Sequence, residues 1–205
     1  MKLKVCGMRE EKNILKLATL KPDYIGFIFW RPSSRYVETK TPTLPTSIKK
    51  TGVFVNASIG YIQSIIKDHA LQAVQLHGEE TSDYCSMIKE FGVEVIKTFS
   101  IKDSFDYSHL NVYEFSCDFF LFDTKGKLPG GNGSGFDWNI LASYPSQKPF
   151  FLSGGIGPEN ITQIKNMLKV NLPLYAIDVN SKFELAPANK NIDQLKQFKS
   201  ELDEL

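Results

Sequence analysis

Eight short apolar runs separated by amphipathic stretches constrain this chain more than any other feature. The runs fall near residues 2–6, 24–29, 51–56, 71–76, 93–98, 118–123, 149–153 and 174–178. Runs this short and this continuously apolar read as strands buried on both faces. Between most of them lie helical patterns, from Glu10 to Leu20, Ser58 to His69, Thr81 to Phe91, Pro158 to Leu168 and Ile192 to Leu202. In the last of these, Ile192, Leu195 and Phe198 share one helix face. Strand-helix alternation demands a parallel sheet, and eight units in 205 residues favour a closed α/β architecture, the (β/α)8 or TIM barrel, over a doubly wound open sheet. A single domain over residues 1–205 is expected. Two connections break the pattern. Residues 38–50 carry Pro42 and Pro45, and residues 102–117 are weakly periodic, so the second and fifth helical connections are expected to be short or irregular.

A barrel places its chemistry at the C-terminal ends of its strands. Polar and glycine residues gather there: Cys6 after the first run, Arg35 beyond the second, His77 after the fourth and Asp123 closing the sixth. Ser153-Gly154-Gly155 follows the seventh run, and Asp178-Val179-Asn180-Ser181 closes the eighth. The sixth run is the most pointed. Phe119-Phe120-Leu121-Phe122 ends in Asp123, and a stretch with Gly126, Gly130, Gly131, Gly133 and Gly135 leads to Asp137, a helix cap before Trp138. Such a backbone can turn its N–H groups onto an anion. Strand, acid, anion-binding loop and helix together suit a phosphate-handling site.

Composition limits the partners. A formal charge of +1 and no basic cluster argue against nucleic acid or a membrane surface, so a small molecule is expected. No run approaches the ~18 apolar residues of a membrane span, and Met1 to Cys6 is too short and too quickly polar for a secretory signal. A cytoplasmic location follows as the expectation. The 3 cysteines, at 6, 85 and 117, lack metal-ligand spacing and fit reduced thiols. Cys85 and Cys117 are expected to be structural, and His69 and His109 to lie on the surface.

In ordered motifs along its whole length, the sequence resembles the phosphoribosylanthranilate isomerases of tryptophan biosynthesis. The motifs are Lys4-Val5-Cys6-Gly7-Met8-Arg9; Gly26-Phe27-Ile28-Phe29 with Ser33, Arg35 and Val37; Gly52-Val53-Phe54-Val55-Asn56; Val74-Gln75-Leu76-His77-Gly78; Asp123 with Gly130-Gly131-Asn132-Gly133 and Phe136-Asp137-Trp138; Ser153-Gly154-Gly155-Ile156; and Asp178-Val179-Asn180-Ser181 with Glu184. The sequence departs from the common pattern at Lys182-Phe183, where many members have Gly-Val, and at Asn191, where Asp is usual.

The resemblance implies an Amadori rearrangement of N-(5-phosphoribosyl)anthranilate to 1-(2-carboxyphenylamino)-1-deoxyribulose 5-phosphate, with no cofactor and no metal. It implies Asp123 as the acid that opens the furanose ring and Cys6 as the base at C2′. It assigns Arg35 to the anthranilate carboxylate, where a planar guanidinium suits a carboxylate, and His77 to a supporting substrate contact. Gly154, Gly155, Asn180 and Ser181, helped by Gly130, Gly131, Asn132 and Gly133, would hold the phosphate, with Asp178 also binding substrate. The expected assembly is a monomer or homodimer. Another phosphate-binding sugar-phosphate barrel, or a catalytically silent one, stands as the alternative. The first would carry a metal constellation or a catalytic lysine at a strand end, and the second would tolerate loss of Cys6 and Asp123.

Overall fold

The structure, a computed structural model, describes residues 1–102, 104–124 and 137–205. Eight parallel strands close on themselves in sequence order: β1 (Lys2–Val5), β2 (Tyr24–Ile28), β3 (Lys49–Phe54), β4 (Ala73–Leu76), β5 (Glu94–Ile101), β6 (Phe119–Thr124), β7 (Phe150–Leu152) and β8 (Leu174–Val179). The seam is the pairing of β1 with β8, which sets Lys4 opposite Asp178 and Val5 opposite Val179. Helices α1 (Glu11–Ala18), α2 (Ile59–His69), α3 (Ser82–Lys89), α4 (Ile161–Met167) and α5 (Ile192–Asp203) pack outside. Among the described residues, no helix is long and apolar enough to cross a membrane.

The period-two geometry of a strand sorts the apolar residues into two cores. Leu3, Val5, Ile25, Phe27, Val74, Leu76, Phe120, Phe122, Ile177 and Val179 belong to an outer cluster shared with Ile14 and Leu17 of α1, Ile62 of α2, Ile88 of α3 and Phe198 of α5. Tyr24, Ala73, Ile96, Leu121, Phe151 and Ala176, of the opposite parity, form a separate cluster inside the barrel. Tyr24 meets Phe151 edge to face with ring centroids 5.2 Å apart. Burial of side chains this size contributes about 1.5–3 kcal/mol each. The parity that puts Tyr24, Ala73, Leu121 and Ala176 inside carries forward to Gly26, Gln75, Asp123 and Asp178, so the interior turns polar as it rises toward the C-terminal mouth.

Local signals set the helix starts. Ser58 and Thr81 accept from the backbone N–H of Tyr61 and Tyr84, capping α2 and α3. Asn191 caps α5 by accepting from Gln194 N–H at 3.1 Å, so this departure from the common pattern keeps a capping side chain. Phe183 is buried against Phe198, with centroids 4.9 Å apart. The second connection has no helix, and the fifth is a 3₁₀ segment, Tyr107–Tyr113. After β6, the described chain resumes with Asp137 capping a further 3₁₀ segment, Trp138–Ser143. An antiparallel hairpin of β9 (Glu184–Ala186) and β10 (Asn189–Lys190) follows β8, a feature the periodicity did not announce.

One expectation needs correcting. His69 is buried rather than on the surface: its ring packs 4.7 Å from that of Phe29, and its Nδ1 lies 3.3 Å from the Thr41 amide and hydroxyl. It occupies the last turn of α2, where Thr41 of the second connection lies against it. His109 is exposed, and Cys85 and Cys117 are buried free thiols.

Gly26 is where this packing reaches the mouth. A Cβ there would stand 2.8 Å from Cys6 Sγ and 3.0 Å from Cys6 Cα, so β2 can lie against the end of β1 only without a side chain. Gly26→Ala is expected to cost about 1–3 kcal/mol by overpacking. A urea melt measures that cost, and alkylation of Cys6, slowed or accelerated against wild type, reports the accompanying displacement of the thiol.

Candidate active site

One cavity of about 380 Å³ opens at the C-terminal end of the barrel. Cys6, Arg35, His77, Asp123, Gly154, Gly155, Asp178, Asn180 and Ser181 all line it, so the sequence-predicted site residues within the described chain come together in one place. Gly130, Gly131, Asn132 and Gly133 lie outside the described residues. Ile28, Trp30, Val53, Val55 and Ile156 supply an apolar wall.

Cys6 follows β1, with its amide donating to Val179 O at 2.9 Å. Its thiol is buried beside the ammonium of Lys4, two residues back on the same strand face. Burial pushes the thiol pKa up, against the pull of Lys4 and, more weakly, of Lys190, while Asp178 adds to the rise. The unliganded protein therefore holds the thiol form, with two cations in place to receive a thiolate.

Asp123 ends the apolar face of β6. One carboxyl oxygen accepts from the Thr124 amide at 2.9 Å, and the other lies 3.3 Å from His77 Nε2. Among the described residues that nitrogen has no well-directed hydrogen-bond partner, and neither do Thr124 Oγ1 and Asp178 Oδ1. All three belong to residues lining the cavity. Buried polar atoms without partners are costly, and a polar ligand would relieve them.

Gly154 and Gly155 adopt φ of +96° and +68°, and a Cβ on Gly154 would lie 2.2 Å from Thr124 Oγ1 and 2.7 Å from its amide nitrogen. Only glycine lets the loop after β7 lie this close to the end of β6. After β8, Asn180 precedes a 3₁₀ turn at Ser181–Phe183, which presents a second set of backbone groups to the same rim.

Sequence reasoning missed the ionic groups beneath and beside these residues. Lys4, fully buried, donates to Asp178 Oδ2 at 2.6 Å and to Gln75 Oε1 at 2.7 Å. Burial is the largest single influence on Lys4 and lowers its pKa, yet Asp178 and Cys6 together outweigh it and the net direction is upward. Strand parity could have found it, since a Cys6 that faces inward obliges Lys4 to do the same. Lys97 donates to Glu80 Oε2 at 3.0 Å and to Gly78 O at 2.7 Å, fastening the loop that follows His77.

Arg35 is already engaged. Its Nε and Nη2 donate to the two oxygens of Glu184 at 2.9 and 2.7 Å, a bidentate pair. Lys190, carried on the hairpin, donates to Glu184 Oε1 and to Asn180 Oδ1, each at 2.6 Å. Burial lowers the Lys190 pKa to about 8 in spite of Glu184. Burial alone would raise Glu184, but Arg35 and Lys190 hold its carboxyl below its ordinary value. A carboxyl depressed in the folded state contributes stability that is present above its unfolded pKa and is lost as pH falls through the folded one. Glu184→Gln should therefore cost roughly 2–3 kcal/mol at neutral pH, under the fully buried range because Arg35 keeps some solvent contact. Paired denaturant melts should show the two proteins converging below about pH 4.5, the unfolded value, and a gap that persists in acid would refute the ionic account.

Comparison with known proteins agrees with this geometry. The family model for N-(5′-phosphoribosyl)anthranilate (PRA) isomerase matches residues 3–201. The N-(5′-phosphoribosyl)anthranilate isomerase of Parabacteroides distasonis is 43% identical, the match covering 97% of this chain and 91% of the relative. The phosphoribosyl anthranilate isomerase structure from Thermotoga maritima superposes with a TM-score of 0.84 at 31% identity, with 100% of both chains covered. Another isomerase structure, a complex with reduced 1-(o-carboxyphenylamino)-1-deoxyribulose 5-phosphate, gives 0.82 at 30% identity, again over 100% of both chains. With a family match over nearly its whole length and a barrel that carries a thiol and a carboxyl at one mouth, this chain belongs to the N-(5′-phosphoribosyl)anthranilate isomerase family.

Proposed function

We propose that Asp123 and Cys6 carry the family's isomerisation in this chain, with Asp123 as general acid and Cys6 as general base. The observation that supports this reading is their presence, from β6 and from the end of β1, on one cavity with Arg35, the glycines after β7 and the residues after β8. Protonated Asp123 gives its proton to the furanose ring oxygen as the C1′–O bond breaks, and the anthranilate nitrogen lone pair forms the C1′=N iminium. Cys6, whose thiol first gives up its proton to solvent beside Lys4 and Lys190, then takes the C2′ proton as thiolate, and the electron pair of that C–H bond moves toward the iminium to give the enolamine, which becomes the ketone by proton transfer. Lys4 and Lys190 stabilise the thiolate, and the Thr124 amide holds the carboxylate left on Asp123.

The substrate carboxylate meets Arg35 at its Nη1/Nη2 end, because Glu184 occupies the Nε/Nη2 edge. The phosphate sits at Gly154, Gly155, Asn180 and Ser181, where backbone N–H groups and the loops after the last two strands suit an anion. Asp178 Oδ1, without a hydrogen-bond partner among the described residues, accepts from a sugar hydroxyl. The chain works as one barrel domain on this small phosphorylated molecule, in the cytoplasm, as a monomer or homodimer.

Turnover of phosphoribosylanthranilate generated in situ tests the assignment. Cys6→Ser and Asp123→Asn should each lower kcat on the order of 10²–10⁴-fold, the usual worth of a general acid or base, while both variants fold and retain the product analogue. A folded variant with near-normal kcat would remove that residue from the mechanism.

A further inference from the structure

Beneath the mouth runs a chain of hydrogen bonds whose directions are fixed by chemistry. It starts at Lys4, whose ammonium has donors only. The atom of Gln75 that faces Lys4 at 2.7 Å must therefore be its carbonyl oxygen, which settles the amide orientation that atom positions alone leave open. The amide NH2 then faces His77 Nδ1 at 2.8 Å and Thr98 Oγ1 at 3.3 Å, using both of its hydrogens. Nδ1 has to accept. An imidazolium, or the tautomer protonated on Nδ1, would set one donor against another at 2.8 Å. The proton of His77 is left on Nε2, the nitrogen 3.3 Å from Asp123 Oδ2.

We propose that Lys4 and Gln75 are positioning residues for the reaction, acting together to hold His77 as the Nε2–H tautomer, with that nitrogen 3.3 Å from Asp123 Oδ2. This rests on the isomerase reading in which Asp123 is the acid. Asp178 anchors the chain from the other side by fixing Lys4 at 2.6 Å. Asp123 then has the Thr124 amide on one oxygen and the His77 N–H beside the other. When Asp123 releases its proton to the ring oxygen, the negative charge forms on a carboxylate that already accepts from the Thr124 amide, with the His77 N–H close enough to turn onto its other oxygen by a small adjustment. The same Lys4 lies beside the Cys6 thiol, so a single buried cation serves the acid and the base at once.

Nitrogen-15 spectroscopy of histidine-labelled protein reads the tautomer directly, with the His77 signals identified by their loss in His77→Gln. In wild type, Nδ1 should resonate as an unprotonated ring nitrogen and Nε2 as a protonated one. Gln75→Glu keeps an oxygen for Lys4 but replaces the amide NH2 with an acceptor, and it should move the proton to Nδ1 or give the imidazolium. In that variant kcat should fall roughly tenfold to a hundredfold, the scale of misplacing a reacting group, with KM within about twofold of wild type. If Glu at 75 does not fold beside Asp178, Gln75→Met, with neither donor nor acceptor at that position, should give a mixture of tautomers. A protonated Nδ1 in wild type, or an unchanged pattern in the folded variants, would overturn the proposal. Absence of turnover in wild type would instead defeat the isomerase reading and leave the tautomer assignment to stand on its spectrum.

Discussion

The ion pair between Lys4 and Asp178 sits at the seam where the barrel closes. The two residues are register partners on β1 and β8, the first and last strands, and their charges meet at 2.6 Å with almost no solvent contact. Such a pair is expensive to bury, and apolar residues of similar volume would often serve stability as well or better. What an apolar pair could not do is direct hydrogen bonds. From this contact the amide of Gln75 is oriented, the thiol of Cys6 gains a neighbouring cation, and the mouth acquires a fixed electrostatic pattern before any ligand arrives.

The barrel thus divides its work along its axis. Low in the interior, Tyr24, Ala73, Ile96, Leu121, Phe151 and Ala176 pack as an apolar plug, and the outer residues of the same strands bury the helices. One layer higher, the same strand parity delivers Lys4, Gln75, Thr98, Asp123 and Asp178. A second ionic group, in which Glu184 is shared by Arg35 and Lys190, ties the hairpin after β8 to the loop after β2. Arg35 is consequently held in place by Glu184, which would reduce the entropy lost if it binds the substrate carboxylate as proposed.

Much of this was legible in the chain. The apolar runs place eight strands because a strand buried on both faces leaves no alternation to confuse, and Ser58, Thr81, Asp137 and Asn191 mark helix or turn starts through their side-chain oxygens. The rim residues followed from the rule that barrel chemistry lies at strand C-termini, sharpened by motif resemblance. The partnerships were not legible. Glu184 and Lys190 find Arg35 through a short hairpin whose strands are too brief to show periodicity, and Glu80 meets Lys97 across two strands. His69 was misread because its burial depends on where an irregular proline-bearing segment returns, which no local pattern encodes. Lys4 was open to inference and was overlooked, since the parity that turns Cys6 inward turns Lys4 inward with it.

The claim that the seam is held by charge, and not by the bulk of two side chains, is tested most directly by the pH dependence of stability in Lys4→Met. Burial already pushes the Asp178 carboxyl up, and removing its cation pushes it further. A carboxyl raised in the folded state binds a proton that the unfolded chain, near its ordinary value of about 3.9, does not, so the folded variant gains stability as pH falls toward that value. Near pH 7.5 the variant should be about 3–5 kcal/mol less stable than wild type, the cost of a buried charge without its partner. Denaturant melts carried down the pH scale should show this deficit shrinking steadily as Asp178 takes up its proton. A deficit of the same size in acid and at neutral pH would mean that Lys4 contributes packing alone, and it would contradict the account.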